Sequence, residues 1–291
     1  AHTLYKKALE LNPGEKLSEE LSYLLGWMLY KAKNWYSATT EFEKYLRRYD
    51  PKWRGYPSKP VVENKAKRTG KKSGKVRYYL GICLLKRGYR HDAREVFMDL
   101  IKFLPKGNLK HDATWQYTRT FVSSETASAV DSLKRYLKNY PKARYSVQAS
   151  YNIANLYLTK KRTADAIVAL RDFLGEKNFE VLKKFKGKQG EESPLFTHKK
   201  LRQKAMYQLG RLLFDQKKYA VAIEQWQRYT AQFPNGKFWS AAQQGILDAE
   251  YRLGEVLLSS RKYDKARKVW EKFLLKYPLD ARVRKILYIF G

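Results

Sequence analysis

Apolar positions along this chain recur with helical spacing, and one pair of helices is written several times over. Each copy places Leu-Gly late in a first helix, an aromatic at a turn, Ala early in a second helix, then aromatics and a closing Pro. The clearest copy is Leu253, Gly254, Leu257, Tyr263, Ala266, Trp270, Phe273 and Pro278. Leu209, Gly210, Leu213, Tyr219, Ala222, Trp226, Tyr229 and Pro234 repeat its internal spacing. Two more copies are Leu25, Gly26, Leu29, Trp35, Ala38, Phe42, Tyr45, Pro51 and Leu80, Gly81, Leu84, Tyr89, Ala93, Phe97, Pro105. A fifth puts Ala in the glycine position: Ile153, Ala154, Tyr157, Ala166, Leu170, Phe173. A sixth, worn in its first helix, keeps Ala129, Leu133, Tyr136 and Pro141. A helix pair of this kind cannot bury its apolar face alone, so copies must stack. The pattern predicts an all-α solenoid of about six repeats, with roughly twelve to fourteen antiparallel helices.

This pattern resembles the tetratricopeptide repeat, a helix–turn–helix of about 34 residues, over nearly the whole chain. The resemblance implies a right-handed superhelix formed as a single solenoid over 1–291. It also implies a concave face, made by the first helices, that takes a partner protein or peptide. First-helix residues outside the repeat pattern are the candidates there: Tyr23, Trp27, Tyr30, Tyr78, Asn152, Asn155, Gln208, Arg211, Glu250 and Arg252. The carboxylate-clamp kind of tetratricopeptide site needs Lys and Asn at fixed places in successive first helices. Asn152 and Asn155 supply only part of that set.

The small residues have a physical reading. Gly26, Gly81, Ala154, Gly210 and Gly254 fall where the two helices of a hairpin touch, and a side chain there would hold the backbones apart. Ala38, Ala93, Ala129, Ala166, Ala222 and Ala266 are the matching small contacts of the second helices. Trp35, Tyr89, Tyr219 and Tyr263 are expected over the turns, and the prolines stop the second helices. Other aromatics, including Tyr36, Phe42, Tyr45, Tyr136, Tyr151, Tyr157, Phe173, Tyr207, Trp226, Tyr229, Trp270 and Phe273, are expected in the core.

The repeat register bears on the ends. Ala1, Tyr5, Ala8 and Pro13 have second-helix spacing, and Ile286 to Phe290 after Pro278 read as a first helix beginning. The expectation is a segment of a longer protein. Second helices ending in aromatic-x-x-x-aromatic-Pro, as at Tyr136–Pro141, Tyr229–Pro234 and Phe273–Pro278, resemble those of bacterial envelope tetratricopeptide proteins. Outer-membrane assembly lipoproteins and the periplasmic partners of the Tol system are examples. Large extracellular proteins of the macroglobulin type carry similar helical arrays. These resemblances imply a bacterial periplasmic or surface scaffold, with a cytoplasmic scaffold near nucleic acid as the competing placement.

Two gaps between successive alanines, 38 to 93 and 166 to 222, each hold roughly twenty residues beyond one repeat. They define insertions at about 50–76 and 175–199. Charge marks them. The net charge is +32, and residues 51–77 carry ten Lys/Arg against Glu63 alone. Lys183, Lys184, Lys186 and Lys188 repeat the theme in the second insertion. The first is expected to be a mobile basic loop. Its Lys65, Lys67, Arg68, Lys71, Lys72 and Lys75 are candidates for a polyanion contact with nucleic acid, a polysaccharide or an anionic surface. Trp53, Tyr56, Tyr78 and Tyr79 would stack on bases or sugars. The plainer alternative is that the lysines solvate a surface.

Candidate chemistry is sparse. Gly70-Lys71-Lys72-Ser73-Gly74-Lys75 is one residue short of a phosphate loop and lacks its Ser/Thr. His91-Asp92 and His111-Asp112 stand at expected helix starts, where Asp is at home. Four histidines and Cys83 give no zinc-ligand spacing. Cys83 itself lies in an apolar stretch and reads as a buried hydrophobe. No apolar run approaches the roughly 18–20 residues of a membrane span. The residues imply a non-catalytic binding protein with no cofactor and no metal.

Overall fold

A computed structural model describes residues 2–11, 14–60, 66, 69–121, 125–175 and 194–290. Among these, fourteen α-helices and one short hairpin form two compact units, Ala1–Pro141 and Lys142–Gly291. The first unit runs α1 (His2–Glu10), α2 (Glu15–Lys31), α3 (Trp35–Tyr49), β1 (Gly55–Tyr56), β2 (Lys59–Pro60), α4 (Ser73–Lys86), α5 (Arg90–Phe103), α6 (Asn108–Thr118) and α7 (Thr126–Asn139). The second runs α8 (Ser146–Thr159), α9 (Thr163–Leu174), α10 (Pro194–Asp215), α11 (Tyr219–Gln232), α12 (Trp239–Ser259), α13 (Tyr263–Lys276) and α14 (Val283–Phe290). No helix among the described residues is long and apolar enough to cross a membrane.

Four hairpins are closed by the same lock, a second-helix ring seated on a first-helix glycine. A Cβ added at Gly26 would lie 2.5 Å from the Phe42 ring, and one at Gly81 2.6 Å from Phe97. At Gly210 and Gly254 the clashes are with Trp226 at 2.4 Å and Trp270 at 2.1 Å. The glycine therefore makes room for a ring, rather than for the partner helix backbone as the sequence suggested. Where Ala154 replaces the glycine, the residue sixteen places on is the ringless Leu170, and both are fully buried. Volume is conserved across the pair, as close packing requires. Both tryptophans also donate Nε1–H to a carbonyl one turn before the glycine, Trp226 to Tyr207 and Trp270 to Tyr251, each at 3.2 Å.

The turns share a second device that the sequence did not show. Lys33, Gly88, Lys161, Lys217 and Arg261 adopt φ of 59°, 89°, 56°, 60° and 58°. Each donates its amide to the carbonyl three residues back, as Lys33 does to Tyr30 at 3.0 Å. The next amide reaches five back, as Asn34 to Leu29 at 3.0 Å. Five first helices thus end in the same left-handed cap, which satisfies two carbonyls that would otherwise lack partners. The cap shifts one alignment. Tyr89 directly follows the left-handed residue, whereas Trp35, Tyr219 and Tyr263 stand one place later. Tyr89 is 48% exposed and Tyr263 60%, so neither packs over its turn as expected. Tyr36, expected in the core, is 70% exposed. Its position in the first turn of α3 lies off the buried stripe of Ala38, Phe42 and Tyr45.

The segment 50–76 departs most from expectation. Over its described residues it is a docked structure, not a free basic loop. β1 and β2 pair antiparallel, with Gly55 opposite Pro60, and α4 has begun by Ser73. Trp53 and Tyr56 are 1% and 7% exposed, so neither ring can stack on a base or sugar. Tyr78 and Tyr79 pack against the same core. The phosphate-loop-like Gly70 has a packing role. Its amide donates to the Tyr49 carbonyl at 2.6 Å, and a Cβ there would strike the Tyr45 hydroxyl. Residues 61–65, 67–68 and 176–193, with most of the second insertion, lie outside the described residues; 194–199 belong to α10.

Candidate binding surfaces

Three buried carboxylates anchor the docked segment, and a fourth, Glu19, braces α3 beneath it. Asp50 accepts from Arg77 Nε at 2.8 Å, with both side chains at most 5% exposed. Glu43 accepts from the Tyr56 hydroxyl and from Lys59 Nζ. Asp92 accepts the Ser58 amide at 3.1 Å and the Ser58 hydroxyl. Glu19 accepts the Tyr45 hydroxyl at 2.8 Å. Burial and the adjoining carboxylates hold the Tyr45 and Tyr56 phenols well above their ordinary range, so both remain donors. The aspartate of the His91-Asp92 pair is thus an anchor for the hairpin. Cys83 is fully buried, and burial pushes its thiol up to about 12.

Between the hairpin and α3, α4 and α5 lies a cleft of about 340 Å³. Buried Glu43, Asp92 and Thr39 form its floor, with exposed Ser58, Tyr36 and Tyr89 and the partly buried Arg87 around it. The Arg87 guanidinium stands 5.0 Å from the Tyr36 ring centre and 4.8 Å from that of Tyr89. Sequence reasoning missed this cleft, because it depends on where the hairpin docks.

The predicted first-helix candidates separate into distinct columns when numbered from the hairpin glycine. Tyr23 and Tyr78 stand three places before it, as do Tyr151, Tyr207 and Tyr251. Tyr23, Tyr151 and Tyr251 are buried, and Tyr78 and Tyr207 are partly buried. Cations cover rings of this column: Lys72 over Tyr23 at 5.3 Å, Lys204 over Tyr151 at 6.0 Å, and Arg282 over Tyr251 at 5.3 Å. Part of the positive charge is therefore spent inside each unit, in contacts worth about 0.5–1 kcal/mol or more. Trp27 lies under Lys31 at 5.3 Å, and Tyr30 packs edge-on to Trp35 at 5.5 Å. Both are partly buried against the core of the first unit.

In the second unit the candidates fall into two polar columns. Asn152, Gln208 and Arg252 stand two places before the small residue of their hairpins, and Asn155, Arg211 and Glu255 one place after it. The helices that carry them are neighbours, since α10 packs against both α8 and α12. Asn155, Arg211 and Arg252 are exposed. Gln208 is partly buried and accepts the Tyr151 hydroxyl at 3.2 Å. Asn152 accepts from Gln148 at 2.9 Å, and Arg252 pairs with Glu255 at 2.7 Å. Glu250 lies outside both columns and pairs with Lys276 of α13 at 2.9 Å. Glu255, which the sequence reading passed over, completes the second column.

Of the basic candidates, Lys65, Lys67 and Arg68 lie outside the described residues. Lys71 is exposed, as is Lys75 in the first turn of α4. Lys72 is committed to Tyr23 and to Glu20, 3.5 Å away.

A family model for the tetratricopeptide repeat matches residues 204–236 and 248–280. The C-terminal part of a tetratricopeptide repeat-containing protein from Cytophaga hutchinsonii superposes with a TM-score of 0.52 at 15% identity, over 98% of this chain and 92% of that one. MamA (residues 41 to the end) from Desulfovibrio magneticus gives 0.48 at 14% identity, over 77% and 98%. The apo form of RapI gives 0.49 at 12% identity, over 95% and 69%. No curated protein matches the sequence. The two matched repeats are the α10–α11 and α12–α13 hairpins, the pair whose tryptophans sit on Gly210 and Gly254. Residues 204–236 and 248–280 are tetratricopeptide repeats, and the chain has the all-α solenoid fold of such repeat proteins.

Proposed function

We propose that this chain is a non-catalytic scaffold whose second unit holds a partner protein or peptide across the first helices α8, α10 and α12. The observation that carries this reading is the pair of polar columns, Asn152–Gln208–Arg252 and Asn155–Arg211–Glu255. The small-residue contacts at Ala154, Gly210 and Gly254 turn the apolar faces inward and leave Asn155, Arg211 and Arg252 in solvent. The amides and guanidinium groups of these columns suit peptide carbonyls and carboxylates, which accept the hydrogen bonds they donate, and Glu255 supplies an acceptor for a peptide N–H. The net charge of +32 speeds encounter with an acidic partner.

The test places a photo-activated cross-linker at Arg211, and separately at Lys265 on the second helix α13, in the full chain within its host. Cross-linked partner bands at position 211 and none at 265 are expected. Equal labelling from both positions would overturn the assignment of the face.

A further inference from the structure

The cleft beside the docked hairpin belongs to the first unit and takes no part in the first-helix columns of the second. We propose that it is a second binding site, which takes a carboxylate of an acidic peptide segment, with Arg87 as its anchor. Among the described residues the Arg87 guanidinium forms no hydrogen bond and no ion pair; its contacts are the faces of Tyr36 and Tyr89. A guanidinium held over two rings without a hydrogen-bond partner keeps its N–H donors for a bidentate carboxylate. Most of the ordering cost of that side chain is met before a ligand arrives.

The two nearby acids are already engaged. Glu43 and Asp92 are each about 5% exposed, and their oxygens are engaged by Tyr56, Lys59 and Ser58. They lie in the floor of the cleft. Two helices begin at the cleft. Tyr36, Thr39 and Thr40 belong to the first turns of α3, and Tyr89 is the residue before α5. The amide ends of both helices add partial positive charge there. No side chain caps α5. The Tyr36 and Tyr89 phenols flank the guanidinium and supply neutral donors. A volume of about 340 Å³ accommodates an acidic side chain with a short stretch of its backbone.

The repeat pattern supports a special role for this turn. At the place before the left-handed residue, the other capped hairpins carry Ala32, Lys160, Gln216 and Ser260, and the place after it holds Asn34, Arg162, Lys218 and Lys262. Arg87 with Tyr89 is a departure that repeat packing does not require, since Tyr89 is 48% exposed.

The experiment measures anisotropy of three fluorescein-labelled peptides with the full chain at physiological salt. One carries two glutamates in a Gly/Ser context and an amidated C-terminus. The second is its glutamine twin, and the third is that twin with a free C-terminal carboxylate. The glutamate peptide, the free-carboxylate twin or both should bind at least tenfold more tightly than the amidated glutamine peptide, which identifies side-chain or terminal carboxylate as the source. Arg87→Gln should weaken that binding about tenfold, the scale of one charged hydrogen-bonding pair. Arg87→Lys, which keeps the charge and loses the fork, should weaken it several-fold. Lys86→Gln removes the same charge one residue away and should change it less than twofold. Equal losses for Arg87→Gln and Lys86→Gln would reduce the binding to diffuse charge and overturn the site. So would binding that ignores Arg87, or no preference for either carboxylate peptide. Cross-linking at Arg211 is read separately and stands or falls independently.

Discussion

The two units use the same helix hairpin and hold it in different ways. In the second, consecutive repeats are near copies, and the lock within each is local: Trp226 on Gly210, Trp270 on Gly254, with each indole N–H on a carbonyl nineteen residues back. In the first, Phe42 on Gly26 and Phe97 on Gly81 do the same, but a basic segment is added over the α3–α5 surface. Buried acids hold it: Asp50 to Arg77, Glu43 to Tyr56 and Lys59, Asp92 to Ser58. A repeat stabilised by volume matching tolerates any exchange that conserves the volume. A segment fastened by buried charge tolerates very little, because each partner left behind is an uncompensated ion.

The largest expected effect tests that contrast where both charges are buried. Asp50→Ala leaves the Arg77 guanidinium buried over Trp53 and Phe103 without its carboxylate, and should cost about 3–5 kcal/mol. Asp50→Leu combined with Arg77→Met removes both charges and should recover most of the loss. Urea unfolding of the full chain gives both numbers. A single substitution costing under about 1 kcal/mol, as for a surface pair, would show that the segment is not fastened there.

The second unit should respond to volume instead. Gly210→Ala puts a methyl 2.4 Å from the Trp226 ring and should overpack the hairpin by roughly 1–3 kcal/mol. In a Trp226→Leu background, which copies the natural Ala154 and Leu170 pair, the same change should cost little. The coupling in this double-mutant cycle is expected at about 1 kcal/mol or more. Additive losses would mean that the ring does not occupy the glycine's space.

Legibility follows the same division. The hairpins, their small residues and the buried aromatics could be read because they recur at fixed spacing, and recurrence is visible without coordinates. Ring-on-glycine contact was one step further, since spacing marks which residues are small but not what fills the space. Tyr23 and Tyr78 were placed on a binding face because tyrosine at that position lies outside the expected pattern. Only the column shared with Tyr151, Tyr207 and Tyr251 shows that tyrosine recurs there, buried at Tyr23, Tyr151 and Tyr251 and partly buried at Tyr78 and Tyr207. Over its described residues the basic segment differs from the expected loop for an electrostatic reason. Its lysines and arginines outnumber its own acids, but the acids that neutralise Lys59 and Arg77 are on α3 and at its end, and Asp92, which holds Ser58, is on α5. Arg87 escaped notice because its meaning depends on Tyr36, fifty-one residues earlier in the chain.

The smallest effect concerns what both units share, the left-handed cap. Four of the five caps carry Lys or Arg at φ between 56° and 60°, where a Cβ costs about 1–2 kcal/mol that glycine does not pay. Lys217→Gly should therefore stabilise the second unit, less the extra entropy glycine holds when unfolded, for a net gain of about 0.5–1 kcal/mol. Gly88→Ala in the first unit is the converse. A Cβ there meets no atom within 4 Å, so its loss is conformational alone and should be of similar size. Shifts of opposite sign in the urea midpoint, at unchanged slope, would show that one cap serves both units. If Lys217→Gly destabilises instead, the lysine side chain holds its turn through contacts that outweigh backbone strain, and the caps of the two units are not equivalent.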